Sequence, residues 1–419
     1  MDYRYVIVGG GMAADAAAKA IRKADSHGSV LIVSAEPDEP YRRPALSKGL
    51  WNGDDMAKIA LSTAKLGIDL MLSEEVVAID LESKTIGLSS GRTVGYRRLL
   101  LATGAKARTL PPLPVGGPVL AYRNLCDYRE ARTRSGPGRR ALVVGGGFIG
   151  SELAAGLTRD GTRVHMVFQE DAISGLRFPA AIASAVTDDY RERGVTIHAR
   201  SSVAGADIGE EGVSVALTDG TEERFDMVAV GVGAEPNSAL ARSSGLMVDD
   251  GVVVDEHLRV MRAEPEGGDG TDLGIFAAGD VASFPWPRPF SRGRIEHEDN
   301  AVSMGAHAGR QMVASFHAQE TDAPRNTAGP KETPYTHLPF FYSDLFDNGY
   351  EALGVLDARL DTFVDWHKPG SEAVAYYLDG EFVKGVLLWN TWGQVDNARD
   401  LILAAAPVAR DDLRGRLPA

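Results

Sequence analysis

The chain has 419 residues, 44% hydrophobic and 24% charged, a soluble composition long enough for two to three domains of about 100–200 residues each. A net charge of −14 argues against general binding to nucleic acid or to an anionic membrane surface. Cys126 is the one cysteine, which excludes a disulfide framework and is expected as a half-buried small residue.

The first predicted strand runs through Tyr5-Val6-Ile7-Val8 and enters Gly9-Gly10-Gly11-Met12-Ala13-Ala14. Gly9, Gly11 and Ala14 fit the dinucleotide fingerprint, with alanine at its third position. Gly9 permits a tight turn, Gly11 lets the backbone approach a pyrophosphate, and Ala14 keeps helix and strand close. The helix start then offers free N–H groups to phosphates. A second strand, Val30–Ser34, leads to Glu36, an acid placed to bind adenosine ribose hydroxyls. No charged-then-apolar leader precedes the first strand, and no run of 18 apolar residues occurs, so a cytoplasmic protein without a membrane span is expected.

Arg43 and Lys48, in Tyr41-Arg42-Arg43-Pro44-Ala45-Leu46-Ser47-Lys48, read either as solvated surface groups or as cofactor-facing cations. Residues 76–101 read as β-structure, ending in Ala102-Thr103-Gly104, where Gly104 leaves room for a ligand. The proline- and glycine-rich 110–118 reads as a linker.

The fingerprint then repeats. Strand Ala141–Val144 enters Gly145-Gly146-Gly147-Phe148-Ile149-Gly150, and Val164–Phe168 runs on to Glu170. Two complete units make a dinucleotide-binding α/β protein the expected class. Strand Met227–Val232 closes the second unit at Gly233. Residues 264–272 read as a mobile loop, and 318–334 as a second linker. Between them, Gly274–Ala278 forms a short strand ending in Gly279-Asp280 before a helix. Asp280 is either a helix cap or a ligand for flavin ribitol hydroxyls. The remainder alternates β-like segments at 362–366, 372–378 and 382–388, then a helix near 395–405. No clustered metal-ligand spacing is present, so no metal is expected.

These residues resemble the two-dinucleotide-domain flavoproteins, in particular the branch of apoptosis-inducing factor and oxygenase-coupled ferredoxin reductases. The likeness covers nearly the whole chain. It rests on both glycine turns, Arg43–Lys48, Ala102-Thr103-Gly104, Ala277–Asp280, Glu296–Ala301, Phe340–Leu345 and Gly349–Gly354. Lys384–Asn390 is closer to apoptosis-inducing factor. The resemblance implies two Rossmann-like domains, the second inserted into the first, plus a C-terminal α+β domain. It places FAD binding in 1–115 and 246–330, NAD(H) binding in 116–245 and the C-terminal domain in 331–419. It puts Lys48 beside the flavin with Glu152 as its partner, Phe148 at the nicotinamide, Ile149 among the cofactor-binding residues of the second turn, and Glu296, His297 and Tyr342 on the flavin side. Phe148 reads equally as a core aromatic, Glu152 as a first-turn helix acid and His297 as a structural histidine.

Two departures carry chemistry. No spaced cysteine pair exists, so dithiol–disulfide exchange is excluded. Tyr342 stands where the family has a flavin-facing tryptophan, which argues against a long-lived stacked nicotinamide complex. The expected activity is hydride transfer from NADH to FAD, then electron transfer to a ferredoxin, a Rieske-type protein or a quinone-like molecule. The alternative is a redox sensor whose reduction by NADH creates a homodimer. Glu170 predicts preference for NADH, with Arg177 able to blunt it.

Overall fold

The computed structural model describes residues 1–209, 212–263, 273–287, 289–320 and 331–418. The expected loop at 264–272 and residues 321–330 of the expected second linker lie outside them. The chain forms two compact units. One holds Met1–Arg43, Ala57–Ala105 and Pro236–Pro339; the other holds Pro44–Met56, Lys106–Glu235 and Phe340–Ala419.

The first unit is built on a parallel sheet of Asp69–Met71, Val30–Val33, Asp2–Val8, Thr93–Leu101 and Ile275–Ala277, in that spatial order. Continuous apolar runs such as Val30-Leu31-Ile32-Val33 are buried throughout, as strands covered on both faces require. Thr93–Leu101 serves two purposes. Its first residues pair antiparallel with Thr85–Leu88, while Leu99–Leu101 pair parallel with Ile275–Ala277.

Two helices, Met12–Ala24 and Glu298–Glu320, lie against each other through small residues. A Cβ on Gly305 would stand 2.3 Å from the Ala13 carbonyl oxygen, and one on Gly309 2.4 Å from that of Ala17. Both pairs repeat at a spacing of four, one turn of helix. Only glycine on one helix and alanine on the other allows backbones this close.

Asp280 is not followed by a helix. Gly279–Val281 is a single 3-10 turn and leads into the strand Ala282–Pro285. Phe284, Pro285 and Pro287 favour extended chain here; the long helix starts only at Glu298.

The second unit carries its own parallel sheet of Thr196–His198, Arg163–Val167, Arg140–Val144, Met227–Val230 and Val119–Ala121. Beside it lies a three-stranded antiparallel sheet, Val203–Gly209, Gly212–Leu217 and Glu222–Phe225. The stretch 110–118 is no free linker: Leu113 is fully buried with Leu142, Val213 and Val228.

A five-stranded antiparallel sheet follows, ordered Phe340–Leu345, Asn348–Gly354, Phe382–Trp389, Glu372–Asp379 and Asp361–Lys368, with the helix Val395–Leu403 after it. Aromatic contacts join this sheet to the rest of the unit. Phe178 meets Tyr350 edge-on at 5.1 Å between ring centres, and Tyr190 meets Phe346 at 4.8 Å. Cys126, expected half-buried, is exposed on the polar helix Leu125–Arg134.

Candidate functional sites

In the first unit, Gly9 has φ +116°, and a Cβ there would stand 2.1 Å from the Ala102 carbonyl oxygen. Only glycine closes this turn. At Gly11 a Cβ would meet nothing within 4 Å, so space lies open at the start of helix Met12–Ala24. The first-turn N–H groups of that helix have no intrahelical acceptor. Ala14 is fully buried behind the turn. This cradle fits a pyrophosphate.

Glu36 lies just beyond strand Val30–Val33 and is already engaged. Tyr41 donates its hydroxyl to Oε2 and the Arg43 guanidinium donates to Oε1, both at 2.6 Å. A carboxylate has about four acceptor positions, so a diol can still bind it. The Arg43 guanidinium also feels the negative charge of Asp280. Glu36 and Arg43 thus form an ion pair, and the charge of Asp280 adds to the field at the guanidinium.

Ala102-Thr103-Gly104 offers mainly backbone. The Thr103 hydroxyl donates to the Asn237 carbonyl at 2.8 Å, and Asn237 Nδ2 donates back to the Thr103 carbonyl at 2.9 Å. Gly104 has φ +66° with open space at its Cβ position. Glu296 is ion-paired with Arg294, which also donates to the Asp280 carbonyl at 3.0 Å. His297 is half-buried, and its carbonyl accepts from Ala301 N–H at 2.9 Å in the first turn of the long helix.

In the second unit, Gly145 has φ +111°, and a Cβ would stand 2.5 Å from the Gly231 carbonyl oxygen. At Gly150 it would stand 2.1 Å from that of Gly145. A Cβ on Gly147 would find only Arg177 Nη1, at 4.0 Å. A guanidinium therefore stands at the second glycine turn. Gly233 has φ +102°, near the Arg108 side chain. Glu170 is half-buried, and its carboxylate has no hydrogen bond or ion pair among the described residues.

Phe148 is half-buried at the start of helix Phe148–Arg159, with Ile149 beside it. Its ring lies 5.3 Å from that of Phe341, and the Arg177 guanidinium covers it at 4.5 Å. It is both a packed aromatic and a residue at the ligand-side turn.

One turn further on is Glu152, 7% exposed. The Lys48 ammonium lies 3.4 Å from its Oε1. Lys48 also donates to the Tyr342 carbonyl at 2.8 Å and sits 4.0 Å above that residue's ring. Segment 44–56 reaches this position because Trp51 is docked. Trp51 Nε1 donates to the Leu46 carbonyl at 2.8 Å, and a Cβ on Gly156 would stand 2.7 Å from the Trp51 side chain. Burial pushes the Tyr190 and Tyr350 hydroxyls well above their ordinary range, and the Glu152 charge adds to this.

Sequence reasoning missed Ser47 and Ser343, whose hydroxyls both donate to Glu152. It also missed Tyr41 and Asn237. Alternation along Phe340–Leu345 turns Ser343 inward, and that parity was the available signal. Among the described residues, no group of three or more His, Cys, Asp or Glu side chains is placed to hold a metal, and no helix is long and apolar enough to cross a membrane.

Residues 3–305 match the family model described as pyridine nucleotide-disulphide oxidoreductase. The chain is 31% identical to apoptosis-inducing factor 1, mitochondrial, of Dictyostelium discoideum, over 96% of this chain and 78% of that protein. It is also 31% identical to the ferredoxin–NAD(+) reductase component of the anthranilate 1,2-dioxygenase system of Burkholderia cepacia, over 96% and 94%. Among solved structures it resembles the reductase of the covalent putidaredoxin reductase–putidaredoxin complex, with TM-score 0.83, 26% identity, and 98% and 95% coverage. The disulphide of the family description has no counterpart here, since Cys126 stands alone. Both glycine turns, their paired acids and these matches together assign the chain to the pyridine nucleotide-disulphide oxidoreductase family.

Proposed function

We propose that this chain is an FAD-dependent NADH oxidoreductase that passes electrons to a separate acceptor, a ferredoxin, a Rieske-type protein or a quinone-like molecule. One observation carries the reading: the chain holds two glycine turns, with open space at Gly11 and only the Arg177 guanidinium within 4.0 Å of a Cβ at Gly147, each followed by an acid, Glu36 or Glu170. FAD binding is assigned to 1–115 and 246–330, NADH binding to 116–245, and the C-terminal domain to 331–419.

The cofactors supply the chemistry, hydride transfer from nicotinamide to flavin. The protein's part is binding and electrostatics. Gly9, Gly11 and the helix start bind the FAD pyrophosphate. Glu36 binds its ribose and Asp280 its ribitol. Arg43 pairs with Glu36 and adds attraction for phosphate. Gly145, Gly147 and Arg177 hold the NADH pyrophosphate, and Glu170 its ribose 2′-hydroxyl. Lys48 supplies fixed positive charge that favours the more negative reduced flavin, and Glu152 keeps that cation in place. Ala102, Thr103, Gly104, Glu296, His297 and Tyr342 are assigned to the flavin, and Phe148, Ile149, Gly150 and Gly233 to the nicotinamide dinucleotide.

The likeness to apoptosis-inducing factor supports a second reading, an NADH-dependent sensor whose reduction drives dimerisation. Anaerobic stopped-flow reduction separates the two. Fast reduction by NADH and fast reoxidation by an iron–sulfur protein from the same cell support the enzyme. Slow reduction, with a change to dimer in sedimentation only when NADH is present, supports the sensor. Purified protein that neither carries nor takes up FAD overturns both.

A further inference from the structure

Glu152 is the junction of two pairs of chain neighbours. Ser47 and Lys48 come from one segment; Tyr342 and Ser343 come from the strand Phe340–Leu345. Ser47 Oγ donates to Glu152 Oε2 at 2.6 Å, and Ser343 Oγ donates to Oε1. Lys48 lies 3.4 Å from that same Oε1 and spends a second hydrogen on the Tyr342 carbonyl at 2.8 Å. The carboxylate, both hydroxyls and the ammonium are nearly closed to solvent. Ser343 is 1% exposed, Ser47 8% and the Lys48 side chain 10%.

A hydroxyl has one hydrogen, and a carboxylate can only accept. Both serine hydrogens have Glu152 as their nearest acceptor; for Ser47 the Pro44 carbonyl, at 3.5 Å, is the longer alternative. Each carboxylate oxygen has its own neutral donor, which leaves the ammonium free to divide itself between Glu152 and Tyr342. Loss of either hydroxyl leaves a buried anionic oxygen short of a donor, which is costly. Lys48 is the flexible donor within reach. It would be drawn onto Glu152 and off the Tyr342 carbonyl.

We infer that Ser47 and Ser343 are positioning residues that act through Glu152 to hold Lys48 in its place between Glu152 and Tyr342. This rests on the reading that Lys48 supports flavin reduction. The serines touch no cofactor in this scheme; they set where the cation stands.

The test uses flavin-loaded protein carrying Ser47→Ala, Ser343→Ala, Ser343→Thr and Glu152→Gln, with the serine changes repeated in the Glu152→Gln background. Flavin content and melting temperature are checked first. Each alanine variant should be reduced about tenfold more slowly at saturating NADH, with KM little changed, the effect of one hydrogen bond to a charged group. Ser343→Thr should recover most of the rate. In the Glu152→Gln background the serine changes should cost less than about twofold, because partners in one network are non-additive. A full tenfold loss in that background, or a wild-type rate in both alanine variants, overturns the inference. A dithionite redox titration gives an independent reading: both alanine variants should shift the flavin potential in the direction of Lys48→Ala. Wild-type protein that binds flavin but resists NADH sinks the functional reading, and the titration still decides on the serines: unchanged potentials overturn their role.

Discussion

Lys48 donates to the backbone carbonyl of Tyr342 at 2.8 Å and lies 4.0 Å above that residue's ring. The carbonyl contact is indifferent to the side chain at 342; the ring contact is not. Lys48→Ala should slow flavin reduction by NADH about 10²–10³-fold, the size of one positioned transition-state charge, and should lower the flavin potential while FAD stays bound. Tyr342→Leu should cost about 2–30-fold, since a cation–π contact contributes about 0.5–2 kcal/mol. Anaerobic stopped-flow reduction measures both. Equal losses in the two variants would assign the effect to packing rather than charge.

Glu36 has three tasks: it accepts from Tyr41, pairs with Arg43 and, in the proposed function, binds a ribose. Glu36→Ala should raise the FAD dissociation constant about 10–100-fold, as lost charge-assisted hydrogen bonds do. Asp280→Ala should weaken FAD as well. Flavin content after dialysis against potassium bromide, followed by titration with fresh FAD, reads both. Full flavin retention in Glu36→Ala would remove this acid from the site.

Glu170 faces the opposite situation, with its carboxylate unpartnered among the described residues. Such an acid can give both oxygens to a ribose diol and repels a 2′-phosphate. Wild-type protein should prefer NADH, and Glu170→Ala should narrow the NADH/NADPH ratio of kcat/KM about tenfold. Arg177→Ala should instead weaken both cofactors alike, because its guanidinium stands beside Gly147. A selective loss of NADPH in Arg177→Ala would move that residue to the ribose end.

The approach of Gly305 to Ala13 can be tested without any cofactor chemistry. Gly305→Ala puts a methyl 2.3 Å from the Ala13 carbonyl oxygen, so the two helices must separate. Overpacking of this kind costs about 1–3 kcal/mol, more than the roughly 1 kcal/mol that alanine gains over glycine inside a helix. The melting temperature should fall, and so should FAD retention, because Ala13 belongs to the first turn at the pyrophosphate cradle. A melting temperature at or above that of wild type would mean the helices are not locked at this distance.

Much of this was legible in the sequence because it depends on local backbone requirements. Gly9 and Gly145 sit at positive φ, and no backbone crowds Gly11 or Gly147 at the helix start, which a spacing pattern can reveal. The pairing of Lys48 with Glu152 was reached through resemblance, and the structure brings the two within 3.4 Å. Illegible were the features set by contacts distant along the chain. Ser343 meets Glu152 across 191 positions and Asn237 meets Thr103 across 134; strand parity turns Ser343 inward but does not name the partner it meets. The stretch 110–118 misled because its prolines and glycines signal a linker while Leu113, with Leu110 packed beside it, anchors the stretch in a core. The helix expected after Asp280 failed for a related reason. A Gly-Asp pair marks a turn but does not say whether helix or strand follows.

The strand Ile275–Ala277 pairs with Leu99–Leu101, yet all of 106–235 is made between them. During synthesis the first sheet must therefore wait with an open edge while the second parallel sheet emerges and can fold. Asp280 arrives only with the late strand, and Glu296, His297 and Tyr342 later still, so the proposed flavin site is completed only once residue 342 has been made. A nascent chain halted before residue 275 would expose Leu99, Leu100 and Leu101 along an unpaired edge and would be prone to aggregation. Flavin bound at the proposed site would therefore stabilise finished chains and not the nascent chain.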